Sequence, residues 1–260
     1  MKIKANGISI NYQVDGPDGA PWLVLSNSLA TNLAMWDDQA RELGRAFRVL
    51  RYDQRGHGAT EAPAGRYTFE LLIADALALM DALAIRKAHF GGLSMGGATA
   101  LGLAQKHPDR LDRVIVCDSP CQSTPTSSQQ WEERIVVAQK QGIDALVEPT
   151  LARWFPPEVI KANPPHLDKV RRMIRTTPVN GFIGCAAALA DHNYAAAVAT
   201  VTRPVLFMVG EKDAAAPPMR KLNEALPGSR YVELPGAGHI SNLDQPEAFT
   251  RAIKDFLAAK

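Results

Sequence analysis

The 260-residue chain has three cysteines, Cys117, Cys121 and Cys185. So small and odd a set is not the framework of a disulfide-stapled fold. There is no C-x-x-C and no H-E-x-x-H, which removes the simplest redox and zinc sites. No apolar run reaches the roughly 18 residues that a membrane span requires. Residues 1–7 lack the apolar stretch of a secretory signal. A net charge of +2 makes no electrostatic case for nucleic acid or an anionic membrane. The one local basic cluster, Lys169, Arg171, Arg172 and Arg175, reads as a solvated helix face. The expectation is a cytoplasmic, soluble protein that uses no metal, organic cofactor, nucleic acid or membrane. Its oligomeric state is not legible.

With 46% hydrophobic and 22% charged residues, the chain can build one large core, or a core with an insertion. Polarity alternates over residues 8–14 after Asn6-Gly7, the mark of a strand in an N-terminal hairpin. Short apolar runs at 22–25, 47–52, 88–91, 114–117, 205–209 and 231–234 read as buried strands. Between them, helical spacing covers 35–43, 68–83, 94–106, 217–226 and 246–257. This alternation predicts an α/β fold with a mainly parallel sheet of about eight strands and helices on both faces. Residues 119–200 hold no strong strand. A turn-rich stretch at 119–130 gives way to helical patterns at 132–140 and 168–174, broken by prolines. The expected organisation is therefore a core of residues 1–119 and 200–260. A helical cap, residues 120–199, is inserted before the last two strands.

Gly92-Leu93-Ser94-Met95-Gly96 follows a predicted strand and opens a predicted helix. That setting makes G-x-S-x-G a nucleophile elbow, a tight strand-to-helix turn that lifts the serine hydroxyl clear of the sheet. Outside it, the motif would be only a glycine-rich turn with a serine cap. A serine hydroxyl is a poor nucleophile at neutral pH and needs a base. Of the six histidines, His239 alone lies in a glycine-rich loop, 235–239, beyond a late strand. His57 sits in a turn and reads as structural. His89 is inside a strand, His107 ends a helix, and His166 and His192 lie in the insertion. The acid that orients the base is Asp213, in Gly210-Glu211-Lys212-Asp213 after a strand, or Asp118, directly after another.

An oxyanion needs two backbone N–H donors. Met95, after the nucleophile, supplies one. Leu29, in the loop Ser26-Asn27-Ser28-Leu29-Ala30, is the candidate for the other. Ser28 either adds a hydroxyl to the site or caps its loop.

Several stretches now carry a family resemblance. They are Leu25-Ser26-Asn27-Ser28-Leu29, Met35-Trp36-Asp37, the strand at 47–52 with Arg55-Gly56-His57-Gly58, and the elbow. Trp131-Glu132-Glu133-Arg134-Ile135 and Trp154-Phe155-Pro156-Pro157 add to it from the insertion. Over almost its whole length the chain resembles the 3-oxoadipate enol-lactonases, α/β-hydrolases of bacterial aromatic-compound degradation. The elbow and the Arg-Gly-His-Gly turn are common to the superfamily, as is the chain order Ser, Asp, His. The chain departs from the family at Ala30, where glycine is expected, at Cys117-Asp118-Ser119-Pro120-Cys121, and in the alanine-rich stretch 213–218.

The resemblance implies cofactor-free hydrolysis of a small, carboxylate-bearing lactone through an acyl-serine. Such a substrate calls for a cation under the cap. Arg134 is the candidate, with a plain surface arginine as the alternative. Trp131 and Trp154 wall the pocket or merely pack the cap. Competing readings are a carboxylesterase, a perhydrolase, a carbon–carbon bond hydrolase, or a binding protein on a hydrolase scaffold. Serine rather than aspartate at position 94 argues against a haloalkane dehalogenase.

Overall fold

The computed structural model describes residues 1–259. Eight strands form one sheet: β1 (Lys2–Ala5), β2 (Ile8–Asp15), β3 (Trp22–Ser26), β4 (Arg48–Tyr52), β5 (Ala88–Leu93), β6 (Leu111–Cys117), β7 (Val205–Gly210) and β8 (Arg230–Leu234). Their order is β1-β2-β4-β3-β5-β6-β7-β8. Only β1–β2 and β2–β4 pair antiparallel. The parallel strands read as continuous apolar runs because helices cover both of their faces, and every residue of β7 is buried. Fully burying a side chain such as Phe207 contributes about 1.5–3 kcal/mol.

The core helices are α1 (Asp37–Leu43), α2 (Phe69–Ala82), α3 (Met95–Lys106), α9 (Ala216–Ala225), α10 (Ser241–Asp244) and α11 (Pro246–Ala258). Helix α1 packs on α11, and α2 on α3. A 3₁₀ turn, Leu33–Trp36, precedes α1 and takes up the start of the helix expected from residue 35. Between β6 and β7 lie α4 (Pro125–Gln141), α5 (Val147–Trp154), α6 (Pro157–Ala162), α7 (Pro165–Arg175) and α8 (Val179–Ala190).

Helix α4 begins inside the stretch expected to be turns. Thr124 caps it in a reciprocal pair with Ser127, and Pro125 occupies the first turn, where its missing N–H costs nothing. Helix α8 has no counterpart among the sequence expectations. It is apolar on nearly every side, so no amphipathic period marks it. It seats on the turn after β4. Gly56, at φ +78°, touches Gly181 so closely that a Cβ there would lie 2.3 Å from the Gly181 Cα. Within the basic cluster of α7, Arg171 pairs with Glu148 and Asp168, and Lys169 with Asp37 of the core.

Register positions the site. Ser26 lies beside Gly92, Leu93 beside Cys117, Cys117 beside Met208, and Gly210 beside Leu234. The loops after β3, β5, β6, β7 and β8 therefore start along one edge. That carboxyl edge is where open parallel sheets place their ligands. Among the described residues, no helix is long and apolar enough to cross a membrane.

Candidate active site

Ser94 joins β5 to α3 with φ +56° and ψ −112°, a strained conformation for a residue with a Cβ. Its N–H donates to the Cys117 carbonyl at 2.8 Å, which fixes the turn to β6. The turn closes only with glycine at position 96, since a Cβ there would come within 2.2 Å of the Ser26 carbonyl oxygen. The hydroxyl is thus set at the amino end of a 12-residue helix, where partial positive charge accumulates.

His239 lies in the loop after β8. Its Nε2 is 2.9 Å from Ser94 Oγ, and its Nδ1 is 2.9 Å from Asp213 Oδ2. Asp213 accepts the Ala215 N–H on its other oxygen, so both oxygens are directed. The loop carrying His239 is tied on two sides. Its own N–H donates to the Trp154 carbonyl at 2.7 Å, and the Gly238 N–H donates to Asp244 at 2.8 Å. The Trp154 indole also stacks on the imidazole, with centroids 5.9 Å apart and planes 28° apart.

Asp118, the other acid considered, does not reach the imidazole. It is fully buried, accepts the Gly210 N–H at 2.9 Å and pairs with the Ser241 hydroxyl at 2.5 Å. It ties the end of β6 to the end of β7 and to the segment just past His239. Burial first, and the charge of Asp213 second, push its carboxyl well above the ordinary carboxylate range.

Leu29 and Ser94 line the same cavity. Among the described residues the Leu29 N–H has no protein acceptor, and Met95, as the first residue of α3, has none within its helix. His57 shapes the Leu29 loop. Its Nε2 accepts the Ala30 N–H at 2.9 Å, and its Nδ1–H donates to the Arg55 carbonyl at 3.1 Å. This holds Ala30 at φ +57°, the left-handed region that explains why glycine is expected there.

Burial holds the His57 imidazole down at about 4, so it stays neutral in the fold while the unfolded chain takes up a proton below about pH 6.5. Its contribution to stability is present above pH 6.5 and lost as the pH falls toward 4. The expected loss at pH 5 is about 2 kcal/mol relative to pH 7. His192, also at about 4 through burial, adds in the same direction. Chemical denaturation at pH 7 and pH 5 measures this, and equal stabilities would contradict it.

The cavity has a volume of about 230 Å³. Ligand pockets for drug-sized molecules run from about 300 to 1,000 Å³, so this one suits a small substrate. Larger grooves near Trp22 and Arg86, and near Arg41 and Glu247, are shallow surface features remote from Ser94. Trp131, Trp154, Arg153, His192, Thr124 and Ser127 contribute to the cavity wall.

Two expected binding residues do not line it. Arg134 turns away: its guanidinium donates to Thr150 Oγ1 at 2.6 Å and lies 5.8 Å from the Phe182 ring. Ser28 is fully buried, and its backbone closes the loop by accepting the Thr31 N–H and donating to Met35 Sδ. Its hydroxyl has no partner. Conversely, sequence reasoning misses Arg153 and His192. Arg153 directly precedes Trp154, a neighbour that could have singled it out; His192 carries no local motif.

The contacts Ser94–His239–Asp213 at the carboxyl edge of such a sheet are the arrangement that serine hydrolases use. The chain matches the family described as alpha/beta hydrolase fold over residues 21–246, and it belongs to that family. Within the family it is similar to the enol-lactonases. It is 34% identical to 3-oxoadipate enol-lactonase 2 of Acinetobacter baylyi, over 97% of this chain and 94% of that protein. The enol-lactonase structure from Burkholderia xenovorans LB400 is 40% identical, with a TM-score of 0.96 and 100% of both chains covered. A putative carbamate hydrolase, RutD, of Pseudomonas savastanoi pv. phaseolicola is 30% identical over 93% of this chain and 95% of that protein.

Proposed function

We propose that this α/β hydrolase opens the 3-oxoadipate enol-lactone to 3-oxoadipate through an acyl-serine intermediate. Residues 120–199 act as the cap over the site. Ser94 Oγ attacks the lactone carbonyl, and His239 Nε2 takes its proton. Asp213 holds the imidazole in the tautomer that accepts at Nε2 and stabilises the imidazolium that forms. The Leu29 and Met95 N–H groups receive the oxyanion. The ring C–O bond then breaks, His239 returns its proton to the enolate oxygen, and the enol tautomerises to the ketone. Water, deprotonated by His239, attacks the acyl-serine; the acyl–Oγ bond breaks, His239 returns the proton to Ser94 Oγ, and the acid leaves.

The observation that carries this reading is the pair of 2.9 Å contacts from Ser94 through His239 to Asp213. Similarity to two enol-lactonases supports the choice of substrate. A second reading, hydrolysis of a small carbamate, is favoured by the similarity to the carbamate hydrolase. Purified protein assayed with the enol-lactone, a small carbamate and p-nitrophenyl acetate separates the two. The expected kcat/KM for the lactone exceeds the others by at least about a hundredfold, or roughly 2.8 kcal/mol of differential transition-state binding. Activity confined to the simple ester or the carbamate would sink the lactonase reading and leave the serine-hydrolase reading standing.

A further inference from the structure

Trp131 has a guanidinium beside its ring twice over: Arg153 at 5.0 Å and Arg134 at 5.1 Å. Neither cation has a carboxylate within 4 Å among the described residues. Arg134 has one hydrogen bond, to the neutral Thr150 hydroxyl, and a buried Nε with no partner. Arg153 has no hydrogen-bond partner among the described residues.

Two like charges gathered around one indole with no counter-ion repel each other; half-buried Arg134 forgoes the pairing such arginines ordinarily find, and exposed Arg153 keeps its charge open to an incoming ligand. The strain registers on Arg134, whose guanidinium is pushed down to about 10 by burial first and by the charge of Arg153 second. The carboxylates facing Arg153 do not cancel it. Asp213 acts on it only at a distance and is engaged by His239. Glu158 shares the outer groove with Arg153 and Lys212 but forms no ion pair with it.

The two arginines differ in access. Arg153 stands at the carboxyl end of α5 and lines both the cavity that holds Ser94 and the groove outside it. Arg134 lines neither.

We propose that Arg153 is the anion-recognising residue of this cavity. It binds a carboxylate carried by the substrate a few bonds from the carbonyl that Ser94 attacks, with Trp131 as the platform and Arg134 adding positive potential from behind. This rests on the reading of Ser94 as nucleophile. It moves the anion contact from the residue that the tryptophan-arginine motif suggests to one that the motif does not contain.

The test uses two methyl esters of equal chain length, one neutral and one ending in a carboxylate. The wild-type protein should prefer the carboxylate-bearing ester, and the preference should shrink as salt rises, because the guanidinium is reached by solvent. Arg153→Gln should lower kcat/KM for the anionic ester about tenfold or more beyond any loss on the neutral one, the scale of a charge-assisted hydrogen bond. Arg153→Lys should keep part of the preference, since it keeps the charge but not the two-pronged geometry.

A binding measurement needs no turnover. Succinate should raise the wild-type Tm, succinamide should not, and the succinate shift should vanish in Arg153→Gln. No charge preference in the wild type, equal losses on both esters, or a succinate shift that survives Arg153→Gln would overturn the proposal. If neither ester is hydrolysed while the succinate shift behaves as stated, the nucleophile reading fails and the anion site stands.

Discussion

Ser94→Ala is expected to lower kcat by roughly 10⁴- to 10⁶-fold while leaving Tm within a few degrees of wild type. The magnitude follows from the site. Ser94 Oγ is the only hydroxyl within hydrogen-bond distance of His239 Nε2 among the described residues, so no neighbour can take over the attack. The donors at Leu29 and Met95 remain, and they account for the residual rate over water. Stability should hardly change. Alanine keeps a Cβ in the same left-handed backbone, and Ser94 caps no helix N–H. Steady-state kinetics with thermal unfolding check both halves. A variant retaining a few per cent of wild-type kcat would remove Ser94 from the chemistry.

The second large effect separates two aspartates that stand at neighbouring strand ends. Asp213→Asn should lower kcat about 10³- to 10⁴-fold, because the amide either presents an N–H to Nδ1 or favours the wrong imidazole tautomer. Asp118→Asn should lower kcat by less than about tenfold. Asp118 accepts the Gly210 N–H on one oxygen and the Ser241 hydroxyl on the other, and a hydroxyl that donates there can equally accept. Asparagine reproduces both bonds with its amide. Asp118→Leu is different, since it leaves the Gly210 N–H and the Ser241 hydroxyl buried and unpaired. It should cost about 2–5 kcal/mol of stability, measured by denaturant unfolding, and loosen the two loops that carry Asp213 and His239. If Asp118→Asn were inactive and Asp213→Asn active, Asp118 would be the acid of the triad and Asp213 the structural one.

The two aspartates also show where sequence reasoning stops. Both follow buried parallel strands, and both are carried toward the same edge. Only the contact to His239 Nδ1 tells them apart, and that contact depends on how a loop turns after β7. The elbow was readable because its chemistry is local: glycines at fixed offsets from a serine, between a β pattern and a helical one. The sheet was readable for a similar reason, since apolar runs bounded by turns mark buried strands. The helical insertion between β6 and β7 was less so. Helix α8 is buried nearly all round and has no period to detect, and α4 begins in a segment rich in serine, threonine and proline that mimics a loop. Arg134 and Arg153 are both arginines one turn or less from a tryptophan. Which one faces the cavity is decided by packing against Thr150 and Phe182, which no spacing rule encodes.

A fluorophosphonate probe with peptide mapping by mass spectrometry tests the central claim most directly, because the probe bonds covalently to an activated serine. Ser119 and Ser127 line the same cavity and serve as internal controls. The account predicts one rapid adduct, on Ser94, with labelling slowed severalfold or more in His239→Gln. An adduct on either of the other serines, or no adduct on folded protein, would contradict it.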